Sequence, residues 1–335
     1  MSYISDRDKY YNEKIKEYTR NFPECVKLYV SANMLSLKPS SLYNYVLSLW
    51  YFIEYGLNGF SSFKDKDIKN LTLNDFASIT IEEFQDFQLD YKGSHKDQTT
   101  LRMMSVVSAF YAYYVEINRL TYNPVKAIKK PKLPKKKDIN RLKGSEKSRF
   151  LDEVMYGSKL SDRQLKFHDI NGSRDYAIVR LILYTGIRVS ELVGLDVDDI
   201  DFEDHSILVT RKGGSTESVF FDDETEICLQ EYLADRLQMN NIDKTEKALF
   251  LSLQKRRISV RAVENLVKKY ATTALPLHKG ISPHKLRATF GTDLYETSKD
   301  IYVTSKRLGH ENISTTTIYA EVTKEKEKAS RNLLH

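Results

Sequence analysis

Between Lys126 and Lys143 the chain runs KAIKKPKLPKKKDINRLK, with nine Lys or Arg, one Asp and two prolines, Pro131 and Pro134. Proline and dense like charge both oppose compact packing, so the stretch reads as an extended linker. It divides the 335 residues into a first domain over 1–125, a basic linker over 126–143 and a second domain over 144–335. The whole chain has a formal net charge of +6 and the linker alone about +8, so the rest sums to about −2. Charge gathered in this way suits a polyanion, because each neutralised phosphate releases condensed counterions. Lys129, Lys130, Lys132, Lys135, Lys136 and Lys137 are the linker's candidate DNA contacts.

Other classes are disfavoured. No apolar run approaches the roughly 20 residues that span a bilayer, so no membrane partner is expected. The N-terminal MSYISDRDKYYNEKIKEY is too charged for a secretory signal. The two cysteines, Cys25 and Cys228, have no metal-like spacing, and their scarcity fits a reducing cytoplasm.

The first domain reads as a small helical bundle that begins near residue 20. One helix is expected around Val26–Met34. After Pro39, with Ser40 and Ser41 as caps, Leu42, Tyr45, Val46, Leu49, Trp50 and Ile53 recur at helical spacing, and Gly56 is the expected stop. Thr80 and Glu83 form a capping-box pattern ahead of Ile81, Phe84 and Phe87. A further helix from Thr99 or Thr100 carries Val106, Phe110, Tyr113 and Ile117. Arg102 on it is another candidate for DNA contact.

The second domain opens with a helix capped by Ser145. A helix over Asp175–Tyr184, the turn Thr185-Gly186 and a helix from about Val189 follow. A β section is expected at Asp201-Phe202, Ser206–Thr210 and Val219–Phe221, with Gly213-Gly214 as the hairpin signal. Helices return after Glu224, near Val260–Tyr270, from Pro283 and in the tail TKEKEKASRNLLH. The fold class is therefore mainly α, with a small antiparallel β-sheet in the C-terminal domain.

Four words in this domain carry chemistry: TGIRVSEL, TRKGG, SPHKLRATF and LGHENISTTTIY. They hold Arg188, Lys212, His284, Arg287, His310 and Tyr319. A phosphodiester resists an anionic nucleophile, so its cleavage needs charge drawn from the phosphoryl oxygens and a proton for the departing oxygen. An Arg fork donates two parallel hydrogen bonds to phosphate and keeps its proton. His284 and Arg287, three apart on a helix opened by Pro283, share a face. Lys212 beside the hairpin glycines could act as general acid if desolvated, with Arg211 next door as a rival. A tyrosine with a reference pKa of ~10 needs nearby positive charge or a base in order to attack. Each word alone is commonplace, and one tyrosine among 22 means nothing. The combination, in this order and separation, points to DNA breakage and rejoining without a metal or other cofactor.

These motifs resemble the tyrosine recombinase, or phage integrase, family. Its pattern is Arg, Lys, His-x-x-Arg, His or Trp, then Tyr, and all six positions are filled here by the preferred types. The likeness covers nearly the whole chain and is greatest to the Xer group, particularly its single-recombinase systems, through VTRKGG, PHKLR and LYETSKD. Ala288 departs from the His common there. The resemblance implies a helical core-binding (SAM-like) domain and a catalytic domain that close around duplex DNA as a clamp. It implies two protomers per recombination site and a homo-tetramer on two sites, and leaves room for accessory proteins. Tyr319 would form a 3′-phosphotyrosine, Lys212 would protonate the leaving 5′-hydroxyl, and a Holliday junction would follow. Glu191 matches an acidic position that orients side chains near the first Arg. The tail helix, with Leu333-Leu334, would dock on a neighbouring subunit. With the bundle starting near residue 20, little room remains for an extra arm-binding domain. The rival expectations are a type IB topoisomerase and a catalytically silent DNA-binding regulator. Within recombination, chromosome dimer resolution and mobile-element integration or excision both remain open.

Overall fold

The structure, a computed structural model, describes residues 3–132, 141–211, 214–278, 280–310, 312–313, 316–317 and 319–320. The chain divides into two compact units, Met1–Lys135 and Lys136–His335.

The described part of the first unit is helical: α1 (Tyr3–Thr19), α2 (Glu24–Asn33), α3 (Pro39–Gly59), α4 (Leu73–Ala77), α5 (Ile81–Ser94) and α6 (Asp97–Glu116). Helix α1 lies ahead of the expected start of the bundle. Its sequence is dominated by charge, yet Ile15 is fully buried, and Tyr11 and Tyr18 bring their rings to 5.5 Å from Tyr43 and 5.8 Å from Trp50. In α3, Pro39 itself takes the first helical position and Lys38 the cap, so Ser40 and Ser41 lie inside the first turn. Gly56 does not end that helix. A Cβ there would come within 2.4 Å of Phe60 and 2.8 Å of Phe63, so the residue serves ring packing. The core is aromatic, with Phe52 at 5.3 Å from Phe60 and 5.0 Å from Phe87. Two buried phenols are satisfied by backbone: Tyr111 donates to Phe76 O at 2.8 Å and Tyr114 to Cys25 O at 2.5 Å.

The second unit contains α7 (Gly144–Tyr156), α8 (Asp162–Thr185), α9 (Val189–Leu192), β1 (Ile200–Asp201), β2 (Ser206–Thr210), β3 (Thr216–Phe220), α10 (Asp223–Gln238), α11 (Val260–Ala274), α12 (Pro283–Ser298) and α13 (Ile301–Leu308). Its spine is α8, where Ala177, Ile178, Val179, Leu181, Ile182 and Leu183 are all buried, under α7, α10 and α12. That helix begins at Asp162, well before the expected Asp175, because polar residues fill its first turns. Helix α7 is capped at Lys143, whose N–H donates to Glu146 at 2.9 Å, and not at Ser145. The sheet is antiparallel in the order β1-β2-β3, with Ile207 opposite both Ile200 and Val219. Strand β2 has the expected bounds, while β1 and β3 each start earlier than expected. The tail helix expected over residues 323–335 lies outside the described residues.

The Thr80–Glu83 box is present: Glu83 Oε2 accepts from Thr80 N–H at 2.8 Å, and Thr80 Oγ1 accepts from Glu83 N–H at 3.2 Å. Thr80→Ala removes one half of it and should destabilise the first unit by about 1 kcal/mol, measurable by urea unfolding. An unchanged midpoint would show that the cap carries no stability.

Candidate active site

Helix ends build this site. The last carbonyls of a helix have no intrahelical partner and form its negative pole. At the end of α8, Gly186 O accepts from Arg287 Nη1 at 2.5 Å. At the end of α13, Leu308 O accepts from Arg287 Nη2, and Gly309 O accepts from Arg188 Nη2 at 2.9 Å. Two guanidiniums from distant parts of the chain are thus pinned to neighbouring carbonyls. Arg188 caps the short α9, where Glu191 takes its N–H at 2.8 Å and its Nη1 at 2.7 Å.

His310 directly follows Gly309, the residue that caps α13. Its Nδ1 pairs with Thr316 Oγ1 at 2.8 Å. Burial lowers its pKa to about 4, and Arg287, Arg188, His284 and Arg211 push in the same direction. The imidazole is therefore neutral at pH 7. Arg287 is 4% exposed, and burial with the adjacent Arg188 brings its pKa down to about 10. It still carries its charge at pH 7. His284 is exposed at the second position of α12, just after Pro283.

Tyr319 is 6% exposed and packs with Ala288 and Leu308. Its ring lies over Gly291 of α12, where a Cβ would come within 2.9 Å of Cζ and 3.1 Å of the hydroxyl. Burial raises the phenol pKa, and Arg287 pulls against that shift. Five of the six expected residues therefore come together around the end of α13. The sixth, Lys212, lies outside the described residues.

Arg211, weighed from sequence only as a rival to Lys212, is a buried member of the cluster. Its Nη1 donates to Glu191 Oε2 at 3.0 Å and its Nε to Glu217 Oε2 at 2.7 Å. Among the described residues, three guanidiniums (Arg188, Arg211, Arg287) stand against two carboxylates (Glu191, Glu217), a surplus of one positive charge. Among the described residues, no group of three or more His, Cys, Asp or Glu is placed to hold a metal ion.

The expected DNA contacts are exposed where they are described. Arg102 on α6 lines a groove with Asn44, Ser48, Tyr51, Tyr91 and Thr99. Lys129, Lys130 and Lys132 are exposed beyond the short turn at Pro124–Ala127. Lys135, Lys136 and Lys137 lie outside the described residues. No described helix is long and apolar enough to cross a membrane.

A mainly helical chain with a three-stranded sheet, and cations gathered about a buried phenol, defines the frame of a tyrosine recombinase. The chain belongs to the phage integrase family, whose pattern matches residues 154–326. It is an enzyme of site-specific DNA recombination. It is 31% identical to tyrosine recombinase XerS of Streptococcus thermophilus over 346 residues, which cover 94% of this chain and 96% of that one. The fold is shared with the XerH site-specific recombinase bound to a palindromic difH substrate in a post-cleavage complex. There the TM-score is 0.69 at 19% identity, over 88% of this chain and 80% of that one. It is also shared with lambda integrase, seen as a dimer on a COC′ core site (TM-score 0.64, 16% identity, 88% of this chain and 93% of that one). The lambda integrase tetramer on a Holliday junction gives a TM-score of 0.65 at 17% identity, over 88% of this chain and 76% of that one.

The depressed His310 pKa has a thermodynamic consequence. Between about 6.5, the ordinary value, and about 4, the unfolded chain binds a proton that the folded chain excludes. His310 therefore makes stability fall as pH drops through that window. His310→Gln should flatten the slope of unfolding free energy between pH 6.5 and 4.5, read by urea titration. Equal slopes in variant and wild type would remove His310 as a source.

Proposed function

We propose that Tyr319 is the nucleophile of this recombinase and that Arg188, Arg287, His284, His310 and Lys212 form its catalytic set. The observation that carries this is the pair of guanidiniums fixed by Gly186, Leu308 and Gly309 beside His310 and Tyr319. Backbone carbonyls orient both guanidiniums without adding counter-charge, Arg188 alone being paired also with Glu191, so their remaining donors are available to a phosphoryl group.

The Tyr319 oxygen attacks the phosphorus of one strand. A Tyr–O–P bond forms, the P–O5′ bond breaks, and a 3′-phosphotyrosine results. The phenolic proton passes to His284, and the leaving 5′-oxygen takes a proton from Lys212. Arg188 and Arg287 donate to the non-bridging oxygens, and neutral His310 adds a hydrogen bond. A 5′-hydroxyl from the partner duplex reverses the step and yields a Holliday junction, which a second round of exchange resolves. The bond energy is conserved throughout, so the scheme calls for no nucleotide cofactor. Dimers on each site and a tetramer on two sites follow the assemblies of lambda integrase, and accessory proteins are left open. The extensive match to XerS, over nearly the full length of both chains, supports an Xer-like role in resolving chromosome dimers in the cytoplasm.

Genome-wide capture of DNA linked to Tyr319 tests the role. A single chromosomal site near the replication terminus is expected, whereas sites at the edges of an element would assign the protein to mobility instead. On a nicked duplex bearing the captured site, Tyr319→Phe should form no covalent adduct while binding within a few-fold of wild type. An adduct in that variant would place the nucleophile elsewhere. Loss of Arg188 or Arg287 should slow adduct formation by roughly 10²–10³. Replacing the lysines from Lys129 to Lys137 with Gln should weaken binding and reduce the slope of log K against log salt by roughly 0.9 for each phosphate no longer neutralised. An unchanged slope would show that the linker does not touch phosphate.

A further inference from the structure

Arg211 is a buried cation that the six-residue set does not use. It follows β2 directly. Its N–H donates to Ser215 O at 2.7 Å and its carbonyl accepts from Gly214 N–H at 3.0 Å, so its backbone is held at the base of the β2–β3 connection. Its side chain is 9% exposed and spans two carboxylates, Glu217 on β3 through Nε and Glu191 on α9 through Nη1. The guanidinium lies against Gly309, where φ is +57° and a Cβ would come within 2.7 Å of Arg211 Cζ. Among the described residues, its buried Nη2 has no acceptor.

Glu191 is the shared element. Its side chain is 3% exposed, and it divides its two oxygens between the guanidiniums: Oε1 takes Arg188 Nη1, and Oε2 takes both the Arg188 N–H and Arg211 Nη1. Without Arg211, Oε2 loses its charged partner, and Glu191, already paired with Arg188 through Oε1, is no longer held at a fixed angle to that guanidinium. Lysine is a poor substitute. A single ammonium lacks the planar fork that reaches Glu191 and Glu217 in one geometry.

The geometry points to Arg211 as a positioning residue for strand cleavage, which clamps Glu191 from the hairpin and so fixes the Arg188 guanidinium for the phosphate. It links the hairpin that bears Lys212 to Arg188. This rests on the recombinase function proposed above. The Arg211 charge also acts on His310 and Arg287, lowering both pKa values.

The test uses the full chain and a nicked duplex bearing the captured site, with single-turnover adduct formation measured at saturating protein between pH 4 and 8.5, alongside the Kd. Arg211→Gln should slow the adduct step by roughly 10²-fold, the size of effect that a misplaced catalytic group produces, with little change in Kd. Its acid limb should move up in pH, because His310 loses a repelling cation. Arg211→Lys keeps the charge but loses the fork. It should be slow with the limb unmoved, and it carries the test if the Gln variant fails to fold. Glu191→Gln combined with Arg211→Gln should be no slower than Glu191→Gln alone, since both act through one carboxylate. Wild-type rates in Arg211→Lys, or rate losses that multiply in the double variant, would overturn the inference. A wild-type protein that forms no adduct would instead overturn the function it rests on.

Discussion

Carbonyl oxygens at the ends of two helices hold the charge of this site in place. Gly186 closes α8, and Leu308 and Gly309 close α13. Between them they accept three donors from Arg287 and Arg188. A carbonyl has neither a titrating proton nor a rotamer. It fixes a guanidinium in direction while leaving its positive charge intact. Carboxylates in the same places would have given stronger pairs and a neutral pocket. The burden of that choice falls on Arg287, whose pKa is brought down to about 10 by burial and by Arg188. The group stays charged at pH 7, so the cluster keeps its cationic surplus.

The same turn determines the state of its neighbours. His310 comes directly after Gly309 and is made neutral by burial and by the cations that the carbonyls hold. Thr316 fixes one of its ring nitrogens, and Thr316 O accepts the Tyr319 N–H at 3.0 Å. Imidazole and phenol are therefore tied to one short segment. That segment rests on α12 because Gly291 leaves a gap where any other side chain would meet the tyrosine ring. Sequence distance hides this unity, for the groups come from α9, α12 and the stretch after α13.

Much of the architecture was legible because its signals are local. Thr80 with Glu83, Pro283 at the head of α12, and the bounds of β2 all follow from caps, ring constraints and alternation confined to a few residues. What failed depended on packing that the local pattern does not show. Helix α1 reads as charged surface until Tyr43 and Trp50 are beside it. Gly56 reads as a stop until the Phe60 and Phe63 rings fill the space of its missing side chain. The first turns of α8 are polar and gave no apolar stripe to mark where it begins. The site residues were legible as motif words, but their electrostatics were not. Arg211 and Lys212 are adjacent and alike in sequence, and only the placement of Glu191 and Glu217 gives Arg211 its own place.

On the proposed mechanism, burial of the Tyr319 phenol bears on the order of events in cleavage. Tyr319 lies against apolar side chains, and burial raises its pKa although Arg287 is near enough to oppose the shift. In this position the desolvation of a phenolate outweighs the attraction of the cation, so the hydroxyl keeps its proton. Ionisation becomes favourable only where the oxygen meets several cations and less apolar surface. A phosphate bound at Arg188 and Arg287 would neutralise those cations, and so weaken their pull on the phenol. On the proposed mechanism, burial of the phenol means that its proton is expected to leave as the oxygen attacks and not before.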